Sequence, residues 1–271
     1  MNIILFNPSL RNYLIFNEVL EQHPKLFDYV IEMSSRPHSS TFKKMKIKKI
    51  LKIFLDCPQF VIMHFLVINT YSILSSLFKT DLKSICKKKN VKYEYYENIN
   101  DNLINFLKSK QPQRIFNSTP HILPIELIKL IPSGIINFHE AKLPDYRGSA
   151  SYFWFFINQE NEANVTCHYV DEGIDTGEII YNGNSIKIRK DMSVFNLWFK
   201  MLVSHEDVWF YLIPFLGIKT KIPSTPQKEQ FSKTYSYPTK EAMNIFKKKG
   251  LKFFYIKDIL KIFKIAIFGK I

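Results

Sequence analysis

Cysteine is scarce. The 271 residues hold three, Cys57, Cys86 and Cys167, an odd number with no Cys-x-x-Cys or Cys/His ligand spacing. That argues against a disulfide framework and a structural zinc site, and it suits a reducing compartment. No metal ligand set is expected. Acidic residues are also few, 24 against 38 Lys and Arg, for a formal net charge of +14. So large an excess asks for an anionic partner: nucleic acid, a membrane surface or an anionic small molecule. The first residues, Met1-Asn2-Ile3-Ile4-Leu5-Phe6, lack both a basic stretch and a small-residue cleavage site. A secretory signal is therefore not expected, and a cytoplasmic protein is. Internal repeats and low-complexity tracts are missing apart from the lysine bias. With 46% hydrophobic residues the chain has material for one full core, and whole-chain disorder is excluded.

Short apolar runs alternate with helical patterns. Residues 2–6 read as a strand ended by Asn7-Pro8-Ser9, and Leu14, Ile15, Val19 and Leu20 then recur at helical spacing. Further strands are expected at 29–31, 91–95, 114–117, 134–139 and 165–170, with helices at 102–108 and 125–130. This order predicts an α/β fold built on a doubly wound, mostly parallel, Rossmann-like sheet. Ligands of such sheets bind beyond the carboxyl ends of the strands.

Residues 38–90 interrupt the alternation. Gln59 to Phe78 carries no Lys, Arg, Asp or Glu, long enough for a membrane span. However, the window holds His64, Asn69, Thr70, Ser72, Ser75 and Ser76, and one crossing would separate the first strand from its sheet. A buried or interfacial helical insert is expected instead.

The chemistry concentrates in residues 134–180. Asn137 and His139 lie two apart on a strand, so an amide and an imidazole project from the same face at its end. The strand at 165–170 runs into Asp171-Glu172-Gly173-Ile174-Asp175-Thr176-Gly177, whose glycines allow a tight path that brings a carboxylate back; Asp175 is the candidate. Read singly, His168 is a core or rim histidine and Cys167 a packing residue. His121 is either a pocket wall or an exposed loop residue, and the aromatic run 152–156 is helix core.

Three linked motifs, Asn137-Phe138-His139, Leu143-Pro144 with Tyr146-Arg147-Gly148, and Asp171 through Gly177, give the chain its resemblance to the folate-dependent formyltransferases. It spans about residues 1–214. The resemblance implies the formyltransferase fold, 10-formyltetrahydrofolate as donor, and Asn137, His139 and Asp175 as catalytic trio. It also implies a pterin pocket formed by Ile122, Leu123, Pro124, Val170, Asp171 and Glu172, with Ile122 and Leu123 as apolar walls. Arg11 and Arg147 are candidate acceptor contacts. Two departures stand out. Glu140-Ala141-Lys142 replaces the Pro-Ser-Leu usual after the histidine, and the first loop, Asn7-Pro8-Ser9-Leu10-Arg11, lacks glycines that would let backbone amides cradle a phosphate. A glycinamide ribonucleotide acceptor is thereby disfavoured.

The expected organisation is a catalytic domain over 1–214, with a lysine-rich helical insert at 38–90, and an extension over 215–271. About 50 residues follow Ile222 without alternating strands, too few for the tRNA-gripping barrel usual in methionyl-tRNA formyltransferases. The favoured acceptor is a small anionic amine, an amino sugar linked to a nucleotide or lipid, for surface polysaccharide synthesis. A folate-donor hydrolase and a membrane- or RNA-binding module on a retired fold are the alternatives. The charge is uneven: residues 43–52, 79–92 and 240–271 carry +6, +5 and +7, so the remainder, with the whole candidate site, carries −4. The basic excess thus points away from nucleic acid as substrate. Ile256, Ile259, Leu260, Phe263 and Ile267 recur at helical spacing with Lys257, Lys261 and Lys264 beside them. That basic amphipathic helix either lies on an anionic membrane, with residues 43–90, or docks on the protein itself.

Overall fold

The computed structural model describes residues 1–7, 19–20, 22–23, 25–34, 52, 55–62, 73–75, 77–78, 81–228 and 232–268. Strands β1 (Asn2–Phe6) and β2 (Tyr29–Met33) are followed by helix α1 (Leu82–Lys89), β3 (Lys92–Tyr96), α2 (Asp101–Lys110), β4 (Arg114–Ser118), α3 (Ile125–Leu130) and β5 (Ile135–His139). After these come β6 (Arg147–Gly148), α4 (Ser151–Ile157), β7 (Glu162–Ala163), β8 (Thr166–Tyr169), β9 (Ile179–Asn182), β10 (Ile186–Lys187), α5 (Val194–Val203) and α6 (His205–Leu212). A 3-10 turn (Ile213–Phe215), the two-residue β11 (Thr234–Tyr235), α7 (Lys240–Lys248) and α8 (Ile256–Phe268) complete the described elements.

Seven strands form one sheet in the order β3-β2-β1-β4-β5-β8-β9. The first five are parallel, and β8 and β9 return antiparallel. The order reverses direction between β1 and β4, the switch that opens a crevice beyond the strand ends. Both faces are buried. Ile4, Phe6, Phe116, Ile136 and Phe138 enter one core, and Ile3, Leu5, Ile115 and Ile135 enter the other. Odd and even positions thus serve opposite sides, which is why these strands read as continuous apolar runs. Asn137 and His139 share the face of Ile135, as their spacing requires.

Local signals set the helices. Asp81 accepts from the backbone N–H of Ser84 to start α1 (3.1 Å), and Asn100 does the same with Leu103 for α2 (3.1 Å). In α4 the aromatics Tyr152, Phe153, Phe155 and Phe156 are buried, so that run is core. Cys167 is fully buried and its thiol pKa is raised by desolvation, consistent with a packing role.

Residues after 214 do not form a separate layer. Buried Arg114 donates to the carbonyls of Phe215 (3.1 Å) and Thr220 (2.8 Å), Thr225 bridges Ile179, and β11 pairs in parallel with β6. The extension expected from the sequence is stitched into the strand ends it follows. In the insert, residues 55–56, 58–62 and 73–75 are helical. Most of the 59–78 span candidate falls outside the described residues, as does Arg11; among the described residues no helix is long and apolar enough to cross a membrane.

Candidate active site

The strand side of the site follows from sheet register. Asn117 on β4 stands opposite Asn137 on β5, which stands opposite His168 on β8. Their side chains form a directional chain. Thr119 donates its N–H (3.3 Å) and hydroxyl (2.8 Å) to Asn117 Oδ1. This turns Asn117 Nδ2 toward Asn137 Oδ1 (3.1 Å). Asn137 Nδ2 then faces His168 Nε2 (3.2 Å), while His168 Nδ1 donates to the Tyr169 carbonyl (2.7 Å). Each group fixes the next, so the Asn137 amide has one allowed orientation, with one N–H held by His168 and the other available. His168 is a buried, satisfied histidine, as its sequence setting suggests, but it also belongs to the site.

His139 Nε2 donates to the Tyr146 carbonyl (2.6 Å), which leaves Nδ1 facing Asp175 Oδ2 at 3.6 Å. The other Asp175 oxygen lies 3.6 Å from His168 Nε2. Burial alone would raise the pKa of Asp175. Once His139 and His168 are protonated, the charge of His139, the hydrogen bond and charge of His168, and the Gly148 N–H at 2.8 Å outweigh it and hold the carboxyl well below the usual range. Asp175 is therefore a fixed anion between two imidazoles.

Its loop is held from outside. Asp175 has φ 53°, a left-handed conformation rare for a residue with a side chain. A Cβ on Gly177 would stand 1.9 Å from the Tyr169 carbonyl oxygen, so only glycine lets the loop pass. Asp171 accepts from Gly173 N (3.1 Å) and Thr176 Oγ1 (2.5 Å), closing the turn. Gln227 completes the clamp. Its Nε2 donates to the carbonyls of Asp175 (2.9 Å) and Gly177 (2.7 Å), and its Oε1 accepts from Arg147 Nε (3.1 Å) and Nη2 (2.9 Å).

Residues 72–202 match the family model described as formyl transferase. That segment, just under half of the chain, is similar to the formyl transferases. A methionyl-tRNA formyltransferase of Caldanaerobacter subterraneus subsp. tengcongensis is 35% identical over 113 residues, 41% of this chain and 36% of the relative. The curated relatives are matched over only 19% to 36% of their own length. Among solved structures, WlaRD, a sugar 3N-formyl transferase crystallised with dTDP and 5-N-formyl-THF, aligns with TM-score 0.56 at 16% identity, over 87% of this chain and 69% of that one. Glycinamide ribonucleotide transformylase 1 from Symbiobacterium toebii gives the same TM-score at 12% identity, over 84% and 93%. At these identities the likeness establishes the fold.

The expected trio, Asn137, His139 and Asp175, comes together beside the paired strands β5 and β8. All six expected pterin contacts sit on two loops, 122–124 and 170–172, and they differ in exposure. Ile122 is 88% exposed, an apolar side chain presented to solvent. Leu123 is buried among Leu103, Leu127 and Ile131, so it anchors the loop rather than forming a wall. Pro124 caps α3, Val170 is half-buried against the same core, and Asp171 and Glu172 are exposed. His121 bonds the Ser34 carbonyl at 3.1 Å, tying the loop to the end of β2. Arg147 is 6% exposed, pairs with Thr234 in the β6–β11 ladder and donates to Gln227. Sequence reasoning passed over Asn117, Thr119 and Gln227. The polar run Asn117-Ser118-Thr119 just past a strand end was the available signal for the first two; Gln227 had none.

Proposed function

We propose that the chain transfers the formyl group of 10-formyltetrahydrofolate to the primary amine of a small anionic acceptor, an amino sugar carried on a nucleotide or lipid. The observation that carries this reading is the oriented Asn137 amide set beside His139 and the ionised Asp175. The acceptor nitrogen attacks the formyl carbon, and the carbonyl oxygen becomes an oxyanion that takes the unspent N–H of Asn137. A donor so placed is worth about 3 kcal/mol in comparable sites. His139 keeps its Nε2 proton on the Tyr146 carbonyl, so Nδ1 receives the amine proton, and Asp175 stabilises the resulting imidazolium. The proton then passes, directly or through water, to the departing folate nitrogen as the carbon–nitrogen bond to the donor breaks. No covalent enzyme intermediate is required, in keeping with the inert Cys167.

The choice of amino sugar is supported by the helices α7 and α8, which occupy the stretch after β11 where a tRNA-gripping barrel would need strands. It is also supported by the likeness to WlaRD, a sugar 3N-formyl transferase. Methionyl-tRNA is the second reading, favoured by the local identity to the Caldanaerobacter relative. The test incubates the protein with 10-formyltetrahydrofolate and amino-sugar nucleotides, methionyl-tRNA or glycinamide ribonucleotide, with mass detection. An amino-sugar product that disappears with His139→Ala is expected. Transfer to methionyl-tRNA or glycinamide ribonucleotide alone moves the assignment there. Formate release without any acceptor identifies a hydrolase, and transfer that survives His139→Ala overturns the mechanism.

A further inference from the structure

Helix α8 has two apolar faces, and the protein uses one. Ile262, Ile265 and Asp258 are buried, with Asp258 Oδ2 accepting from Ser193 Oγ (2.6 Å) and from the Tyr255 N–H (2.8 Å). Lys261 lies over the Phe199 ring at 3.7 Å. The helix is therefore docked on α5, as one of the two sequence expectations required. On the opposite side Ile256 (79% exposed), Leu260 (65%) and Phe263 (42%) form a second stripe at spacings of four and three, one face of a helix. Lys257 and Lys264 flank it and are exposed.

We propose that this stripe seats the enzyme on an anionic lipid bilayer. Isolated exposed apolar residues are ordinary on protein surfaces, whereas a continuous helical stripe beside lysines has the form of an interfacial helix. Charge selects the occupant. Residues 240–271 carry +7 while the chain outside the three basic segments carries −4, so an anionic surface is attracted to this side and repelled from the catalytic one. A second copy of the chain would bring the same +7 against it. A nucleic acid would satisfy the lysines but leave the apolar stripe wet. The Phe60 ring of the insert lies 5.7 Å from Tyr237 and 6.2 Å from Phe253, so the insert packs against the segment that leads into α8. The docked face holds α8 rigidly, so its outer face needs no folding on contact.

The test is flotation of the full chain with phosphatidylcholine vesicles, with and without phosphatidylglycerol. Binding is expected only with the anionic lipid, weakening as salt rises. The triple variant Ile256→Ser, Leu260→Ser, Phe263→Ser should lose about tenfold or more in vesicle affinity. Lys257→Gln and Lys264→Gln should each lose about fivefold. All should keep the circular dichroism and the thermal midpoint of the parent, because none of these side chains is buried. Failure of the parent chain to float, or undiminished binding by the triple variant, overturns the proposal. So does a dimer in light scattering that the triple variant abolishes, which would make the stripe a self-interface. None of these readouts depends on the identity of the acceptor.

Discussion

The two halves of the candidate site are built by different means. The strand half, Asn137, His139 and His168, is set by register between neighbouring strands whose apolar residues are buried in two cores. The loop half, Asp175, sits at φ 53° because Gly177 lets the chain pass and Gln227 holds two carbonyls from 52 and 50 residues away. Damage to the first should remove chemistry and spare the fold. Damage to the second should misplace an intact carboxylate.

His139→Ala should have the largest effect, a loss of about three orders of magnitude in kcat, by removing the group that accepts the amine proton. Asn137→Ala should cost about a hundredfold or more in kcat with little change in KM, since its free N–H acts on the developing oxyanion. Both are strand-side changes, and thermal midpoints near the parent value would sharpen the contrast; a collapse of stability in either would break it. Gly177→Ala should lower both activity and the thermal midpoint, because the added Cβ meets backbone rather than a yielding side chain. Gln227→Ala should cost about tenfold in kcat while binding of a folate analogue is kept, and Gln227→Glu should not rescue it, since a carboxylate cannot donate to the carbonyls of Asp175 and Gly177. A Gln227→Ala enzyme with full activity would show that the loop holds itself.

The smallest expected effect concerns pH. Because the folded pKa of Asp175 lies below its ordinary value of 3.8, the stability it contributes is complete above that value and is lost as pH falls below it. Asp175→Asn should therefore flatten the acid limb of the stability curve measured by thermal denaturation. A limb unchanged from the parent would assign it to other carboxylates.

The same division explains what the sequence made legible. Parallel strands buried on both faces leave dense apolar runs, so β1, β2, β4 and β5 and the same-face placement of Asn137 and His139 could be read directly, while the edge strand β3 showed through its tyrosines. The motif at 171–177 identified Asp175 by its glycines. Cross-strand register leaves no mark within either strand, and so His168 read as core although β8 sets it opposite Asn137. Arg147 sat in a motif and drew an acceptor role. Its actual partner, Gln227, lies in a segment whose own sequence carries no periodicity or cluster. The amphipathic pattern of α8 offered two opposed readings, membrane or core, because a hydrophobic stripe records burial without naming the surface. Asp258, which fixes the docked face, broke no pattern that would have revealed it.

The Gln227 clamp also bears on how such a chain can be cut or recombined. A version ending at residue 214 would retain all seven strands of the main sheet and every residue of the trio, yet it would release the carbonyls of Asp175 and Gly177 and leave Arg147 without its amide. Exchange of tails between relatives would likewise carry the geometry of the catalytic carboxylate along with whatever the tail binds. In this chain, then, the segment after 214 and the shape of the Asp175 loop cannot be exchanged separately, because the Gln227 side chain joins them.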